Sequence, residues 1–283
     1  MNDDFDIQTL IARRRALGLI GAAASALVLG ACGSSPDDGG SGASSGSGSD
    51  SGDSTSGTDD ATTCSTYDTE ETQGPYPADG TTSVNALNQS GINRSDIRTS
   101  FGSAGTDDAK GVSMQMTLTL VDYDNGCAPM AGYWIYIWHC DRSGNYSLYS
   151  SAAASENYLR GVQQTDSSGK VTFITYFPAC YSGRWPHIHV EIYDATGTQP
   201  TSRTQNLLRT TQLCMPEDIC DDVYETSLYS GSSANLARVS LDSDNVFGDN
   251  TAAQITLETP SFSGSAGDGY TAEATLVYSA SRS

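Results

Sequence analysis

From Val112 to Asp122 the chain alternates apolar and polar positions. Met114, Met116, Leu118 and Leu120 stand against Gln115, Thr117 and Thr119, the period of a strand with one buried face. Similar patterning or a dense run of aromatic and β-branched residues predicts further strands over Tyr133–His139, Lys170–Tyr176, Pro186–Tyr193, Ala253–Glu258 and Tyr270–Tyr278. Turn-forming runs at Asp124-Asn125-Gly126, Ser143-Gly144-Asn145 and Ser167-Ser168-Gly169 separate several of them. Helical periodicity is scarce, with short helices predicted near Pro216–Tyr224 and around Asn235. Strands at this spacing predict an all-β domain, a β-sandwich of mixed or antiparallel sheets with few short helices. No internal repeat is present.

The strand pattern does not extend to the first 63 residues. Arg13, Arg14 and Arg15 precede an apolar run that ends in Leu29-Gly30-Ala31-Cys32. The run is shorter than the roughly 20 residues a membrane-spanning helix needs, and with its basic flank it predicts a signal peptide over residues 1–31. Leu-Gly-Ala-Cys looks like a lipobox, which makes Cys32 the expected lipid-bearing residue and that lipid the only expected membrane contact. The adjacent arginines resemble a twin-arginine signal, so both the general and the twin-arginine export routes stay open. Residues 32–63 are almost all Gly, Ser, Asp and Thr without an aromatic, the composition of a disordered linker. Residues 64–283 remain as one domain of a size that can bury its own core.

Charge and cysteines fit an expected extracytoplasmic place in the cell envelope. A formal charge of −20 disfavours nucleic acid and anionic lipid as partners. Six cysteines follow Cys32, namely Cys64, Cys127, Cys140, Cys180, Cys214 and Cys220. In an exported domain they predict disulfides, and Cys214 and Cys220 are near enough in sequence to pair locally. No Cys-x-x-Cys supports a thiolate metal site.

The chemistry gathers at Arg184-Trp185-Pro186-His187-Ile188-His189-Val190-Glu191, which holds two of the chain's three histidines. Alternation makes this a half-buried strand, and residues i and i+2 share a face, so the two imidazoles stand side by side. That geometry suits a shared metal ion, but an isolated pair is more often two hydrogen-bonded strand histidines. Upstream, Tyr146 follows the turn Ser143-Gly144-Asn145 and Tyr181 follows Pro178-Ala179-Cys180.

In order along the chain stand Thr72-Gln73-Gly74-Pro75-Tyr76, Asn93-Arg94-Ser95-Asp96-Ile97-Arg98, and Ile137-Trp138-His139-Cys140-Asp141 with Gly144-Asn145-Tyr146-Ser147. Then come Tyr158-Leu159-Arg160-Gly161 with Gln164-Thr165-Asp166, Arg184-x-x-His187-Ile188-His189, and Thr211-Gln212-Leu213. Over these six blocks the chain resembles the intradiol ring-cleavage dioxygenases, the family of protocatechuate 3,4-dioxygenase and catechol 1,2-dioxygenase. The resemblance implies a β-sandwich with a non-haem Fe(III) between its sheets, held by Tyr146, Tyr181, His187 and His189. It implies an active-site role for Arg184 and Gln212, with Tyr181 the ligand that leaves when substrate binds while Tyr146 stays. Substrate and co-substrate are then a small aromatic diol and O2, and the product is a muconate-type diacid. Free tyrosine has a pKa of about 10, so two tyrosinates near neutral pH require a strongly Lewis-acidic ion, which favours Fe(III) over Fe(II) or Zn(II).

Other readings have weaker support. His187, His189 and Glu191 share a strand face, but no later histidine completes a two-His-one-carboxylate Fe(II) site; Glu191 reads as a neighbour of the ligands or as a solvated residue. His139 reads as structural, and Trp134 and Trp138 as core. Arg94, Arg98 and Arg160 fit buried ion pairs as well as substrate contact, and Thr72–Tyr76 fits a pocket wall as well as a chain-entry turn. A non-catalytic tethered binding module on the same scaffold is the alternative, disfavoured by the complete set of Tyr146, Tyr181, Arg184, His187 and His189. The helical dimerisation region of catechol 1,2-dioxygenases has no counterpart, so no oligomer is signalled, and the residues leave the catechol itself unspecified.

Overall fold

A computed structural model describes residues 64–282. The signal, lipid-bearing Cys32 and linker expected over 1–63 lie outside the described residues. Among the described residues nine strands form two sheets, with three short α-helices between β7 and β8.

The first sheet is built on β1 (Ser113–Asp122), which pairs antiparallel with β5 (Lys170–Tyr176) and, at its end, with β2 (Ala128–Pro129). On its other side β1 runs parallel to β9 (Gly269–Tyr278), which pairs antiparallel with β8 (Ser261–Ser265). The second sheet is antiparallel throughout, in the order β4 (Arg160–Gln164), β3 (Trp134–Trp138), β6 (His187–Tyr193), β7 (Leu207–Cys214). The all-β sandwich of mixed and antiparallel sheets, with few short helices, is therefore the observed architecture. Met114, Met116, Leu118 and Leu120 are fully buried, as their alternation requires.

Register decides which face of the second sheet meets the first. Gln163 of β4 donates to the Thr172 carbonyl of β5 at 2.6 Å, and His139, just past β3, reaches the Thr175 hydroxyl of β5 at 2.7 Å. The face carrying Ile135, Ile137, Val190 and Gln163 therefore packs on the first sheet. The opposite face carries Trp138, Tyr136, His189 and Glu191. It is covered by residues 72–79 and by loop residues, so β6 is buried on both faces instead of half-buried.

Ala253–Glu258 is not a strand. It lies within helix α3 (Ala252–Glu258), after α1 (Glu217–Tyr224) and α2 (Ser232–Leu236). A capping box starts it: Thr251 Oγ1 accepts from the Gln254 backbone N–H, and the Gln254 side chain accepts from the Thr251 N–H. That satisfies two orphan donors and outweighs the weak β pattern.

One disulfide, Cys64–Cys127, forms among the described residues, with Cα atoms 5.8 Å apart. Cys214 and Cys220 do not pair. Cys214 ends β7, with its sulfur 3.1 Å from the Thr259 hydroxyl, while Cys220 is buried inside α1. Burial pushes the Cys180 and Cys214 thiols up to about 12, which makes them unreactive.

Asp68 and Glu258 are buried beside β9 and α3, each with one carboxylate oxygen lacking a partner. Burial raises Asp68 from its ordinary 3.8 to about 7, against the Val277 N–H and the Arg209 charge, which lower it. Burial and the neighbouring Asp68 raise Glu258 from 4.5 to about 8. A raised carboxyl is favourable in the fold while protonated, and that contribution is lost as pH rises toward the folded pKa. Stability should therefore fall between about pH 4 and pH 8 at these groups. Asp68→Asn should flatten that slope by on the order of 1 kcal/mol in urea unfolding at pH 5 and pH 8. An unchanged slope would show that Asp68 does not carry the effect.

Candidate metal centre

The second sheet aligns four residues in one cross-strand row: Arg160, Trp138, His189 and Gln212, one from each of β4, β3, β6 and β7. His187 lies two residues before His189 on the same face. This is the face turned away from the first sheet, so the histidines do not lie between the sheets as the family resemblance implies.

Two loops bring the tyrosines to them. In the first, Asp141 Oδ1 accepts from the Ser143 and Asn145 backbone N–H groups, and Ser150 Oγ accepts from the Tyr146 N–H at 2.9 Å. These bonds fix Tyr146 at 2% exposure. The second loop carries Tyr181 and is tied to α2, where Asn235 donates to the Cys180 carbonyl. Gly144 lets the loops meet. Its φ is +82°, and a Cβ there would lie 3.1 Å from Tyr181 Cβ.

Four donor atoms converge. Tyr146 Oη is 3.2 Å from His187 Nε2, 3.3 Å from His189 Nε2 and 3.4 Å from Tyr181 Oη, which itself is 3.2 Å from His187 Nε2. Such separations are those of ligands about 2 Å from one shared ion. His187 Nδ1 faces the Trp185 carbonyl at 2.5 Å, and a carbonyl only accepts, so Nδ1 carries the proton and Nε2 presents its lone pair. The His189 ring stacks on Trp138 at 4.7 Å, with Nδ1 unpartnered. Gly74, at φ +67°, packs against His189: a Cβ there would sit 3.3 Å from Cε1.

The electrostatics match a cation site. Burial, then the Arg184 charge, lower His187 to about 3, and burial holds His189 well below its ordinary value. Burial pushes Tyr181 up to about 12 and holds Tyr146 well above its ordinary value. The pocket thus holds neutral imidazoles, and only a strong Lewis acid would draw off both phenol protons. Two anionic oxygens and two neutral nitrogens fit a hard trivalent ion.

Arg184 borders the donor cluster, with Nη1 3.5 Å from His187 Nε2. Its Nη2 donates to Gln212 Oε1 at 2.8 Å, and Gln212 Nε2 donates to the Thr72 carbonyl at 2.8 Å. Tyr76 lies over Tyr146 with centroids 4.9 Å apart and is 37% exposed. Residues 72–76 therefore form a wall of the site and not merely a chain-entry turn.

Several residues fall elsewhere. His139 bonds the Cys140 carbonyl and Thr175 on the other face of the sheet, a structural role. Glu191 is neither a ligand nor solvated: it is fully buried, accepts from Tyr193 Oη at 2.6 Å and pairs with Arg203 at 3.2 Å. Among the described residues Arg94 and Arg160 form neither ion pairs nor contacts with the donor cluster: Arg94 bonds backbone carbonyls, Arg160 bonds backbone carbonyls and the Ser147 and Tyr136 hydroxyls, and Arg98 pairs with Asp96 at the surface. Trp138 is core and also the platform for His189. Asp244, which pairs with Arg184 at 2.9 Å, was invisible in the sequence because it sits in a Ser/Asp-rich stretch sixty residues downstream.

Residues 92–204 match the family model described as Dioxygenase, a match that ends before Gln212 and Asp244. No sequence among the curated proteins matches. Among solved structures, the fold is similar to an intradiol ring-cleavage dioxygenase from Tetranychus urticae, at 25% identity over 77% of this chain and 96% of that one, with a TM-score of 0.58. A second dioxygenase crystal structure is alike at 25% identity, the same coverage and a TM-score of 0.57. The dioxygenase domain of a dioxygenase–carbohydrate-binding fusion from Streptomyces sp. SirexAA-E is 19% identical over 76% of this chain and 99% of that one, with a TM-score of 0.46. With the family match across the block that holds both tyrosines and both histidines, the chain is similar in sequence and in fold to the intradiol ring-cleavage dioxygenases.

Proposed function

We propose that this protein cleaves a catechol-type ring with O2 between the two hydroxyl-bearing carbons, giving a cis,cis-muconate-type diacid. The observation that carries the reading is the convergence of two phenol oxygens and two imidazole nitrogens at one point beside Arg184. Tyr146, Tyr181, His187 and His189 would hold Fe(III), which when bound supplies the Lewis acidity and electron acceptance that make the ring reactive toward O2.

The chain's own residues divide the remaining work. Tyr181 is the more exposed of the two tyrosines, so its oxygen is the one free to leave and take a proton from a substrate hydroxyl. Tyr146, buried against Tyr76, stays in place. Arg184 presents Nη1 toward the space where negative charge develops on the ring, held there by Gln212. Tyr76 against Tyr146 and Gly74 against His189 form one wall of the site.

We further propose that the protein acts outside the cytoplasm, held by a lipid on Cys32 and spaced from the membrane by residues 33–63. The signal-like run over 13–32 and the Cys64–Cys127 disulfide support this address. Cys32→Ala should then release the protein from the membrane fraction.

The activity test uses the full chain loaded with ferric iron. It should be red-brown from tyrosinate charge transfer, change hue when catechol is added without O2, and form muconate-type product when O2 is admitted. Catechol, protocatechuate and hydroxyquinol in parallel would define the preferred ring. A colourless protein that binds no iron after reconstitution would favour the non-catalytic binding module instead.

A further inference from the structure

We propose that Asp244 is the positioning residue that aims Arg184 at the donor cluster. This inference rests on the proposed dioxygenase reading. Asp244 lies beyond the matched family segment, on the loop between α2 and α3, and its side chain is fully buried.

Its two oxygens accept four N–H groups. Oδ2 takes Arg184 Nε at 2.9 Å and the Trp185 backbone N–H at 2.6 Å. Oδ1 takes the backbone N–H groups of Val246 at 2.8 Å and Phe247 at 3.2 Å. The first pair holds the chain at 184–185, and the Trp185 carbonyl is the group that sets the His187 tautomer. The second pair holds Phe247, whose ring lies 6.0 Å from the Arg184 guanidinium carbon.

The mode of pairing matters. Asp244 meets Arg184 through Nε, and Gln212 takes Nη2, so Nη1 stays directed at the donor cluster. A two-pronged carboxylate contact on both Nη atoms would occupy the edge that faces the substrate. The observed arrangement balances the buried positive charge from behind and leaves its substrate edge open.

Asparagine cannot reproduce this. It offers one acceptor oxygen and an NH2 group that only donates, so one of the two N–H pairs must lose its acceptor and face another donor. A misplacement of catalytic groups by about 1 Å can cost on the order of 10²-fold in rate.

The test measures kcat, KM, iron content and anaerobic catechol affinity for the iron-loaded full chain and for Asp244→Asn, Arg184→Gln and the double variant. Asp244→Asn should keep its iron, lose about 10²-fold in kcat/KM, and bind catechol more weakly without O2. In the Arg184→Gln background the same change should have little further effect, because its route runs through Arg184. A merely structural role would give equal losses in both backgrounds, and that additivity would overturn the proposal, as would a fully active Asp244→Asn. If Asp244→Asn does not fold, Asp244→Glu, which keeps charge and acceptors but shifts them, is read through the same cycle with the same criteria. An unmodified protein without iron or ring cleavage would instead overturn the dioxygenase reading, which separates the two failures.

Discussion

Tyr146→Phe is expected to give a folded protein that has lost its iron, its colour and its ring-cleavage activity together. The Tyr146 ring is packed on every side that matters for folding. It stacks obliquely on Tyr76 at 4.9 Å and meets the Tyr181 and His189 rings edge-on at 5.9 and 6.1 Å. Phenylalanine keeps these contacts. What it removes is one oxygen whose only hydrogen-bond partners among the described residues are the other three donor atoms. The loss to stability is therefore small, on the order of 1 kcal/mol or less.

The loss to the centre is large. Removing even a residue that supports a ligand costs 10- to 100-fold in metal affinity by the usual rule, so losing a charged ligand should cost at least about 10²-fold. One tyrosinate and two neutral imidazoles also leave a trivalent ion under-neutralised in a dry pocket. Iron stoichiometry, visible absorption and the thermal midpoint, measured on one preparation, check the expectation. Stoichiometric iron and retained activity would mean that Tyr146 is not a ligand.

The sequence carried the strands whose burial is expressed in apolar residues and missed those whose burial is polar. β1 was legible because its inward positions are Met and Leu. β4 and β7 were not read as strands, since Arg160, Gln163, Arg209, Thr210, Thr211 and Gln212 look like surface residues. In the fold Arg160, Arg209, Thr210, Thr211 and Gln212 are buried. These strands line the site and its supports, so their polarity has a function that a hydropathy pattern reads as exposure. α3 failed for a different reason: its Thr251-x-x-Gln254 cap is a local signal, and the alternation of Ile255 and Leu257 with polar neighbours masked it.

At the site the division is similar. The four donor residues and Arg184 could be named because they recur at fixed spacings within short blocks. Their supports could not, because each comes from a distant segment and is chosen by three-dimensional proximity. Asp244 reaches Arg184 across sixty residues, and Gly74 meets His189 from the start of the domain. Glu191 shows the limit of strand logic. It was placed correctly on the histidine face, yet its buried pairing with Arg203 follows from a loop that crosses that face later in the chain.

Arg160→Met should destabilise the fold by about 2–4 kcal/mol and lower iron occupancy with it. Arg160 is 1% exposed, and all five of its guanidinium N–H donors have acceptors. Nε donates to Ser147 Oγ, Nη1 to the Pro77 carbonyl and Tyr136 Oη, and Nη2 to the Tyr76 and Ser147 carbonyls. Among the described residues no carboxylate pairs with it. Replacing a buried ion pair by apolar residues is often neutral or stabilising, because both charges can be removed at once. Here the partners are mostly backbone carbonyls, which no substitution can remove. Pro77 would keep its bond from Tyr136, but the Tyr76 and Ser147 carbonyls would lose these bonds in the interior. Lysine would not rescue them, since a point charge with three donors cannot span five positions in a plane. The functional loss follows from what Arg160 ties together: Ser147 adjoins Tyr146, and Tyr76 rests on the Tyr146 ring. Urea unfolding with iron analysis at each step would separate the two effects. A Met variant as stable as the unmodified protein would show that water reaches these carbonyls and that Arg160 does not brace the tyrosine loop.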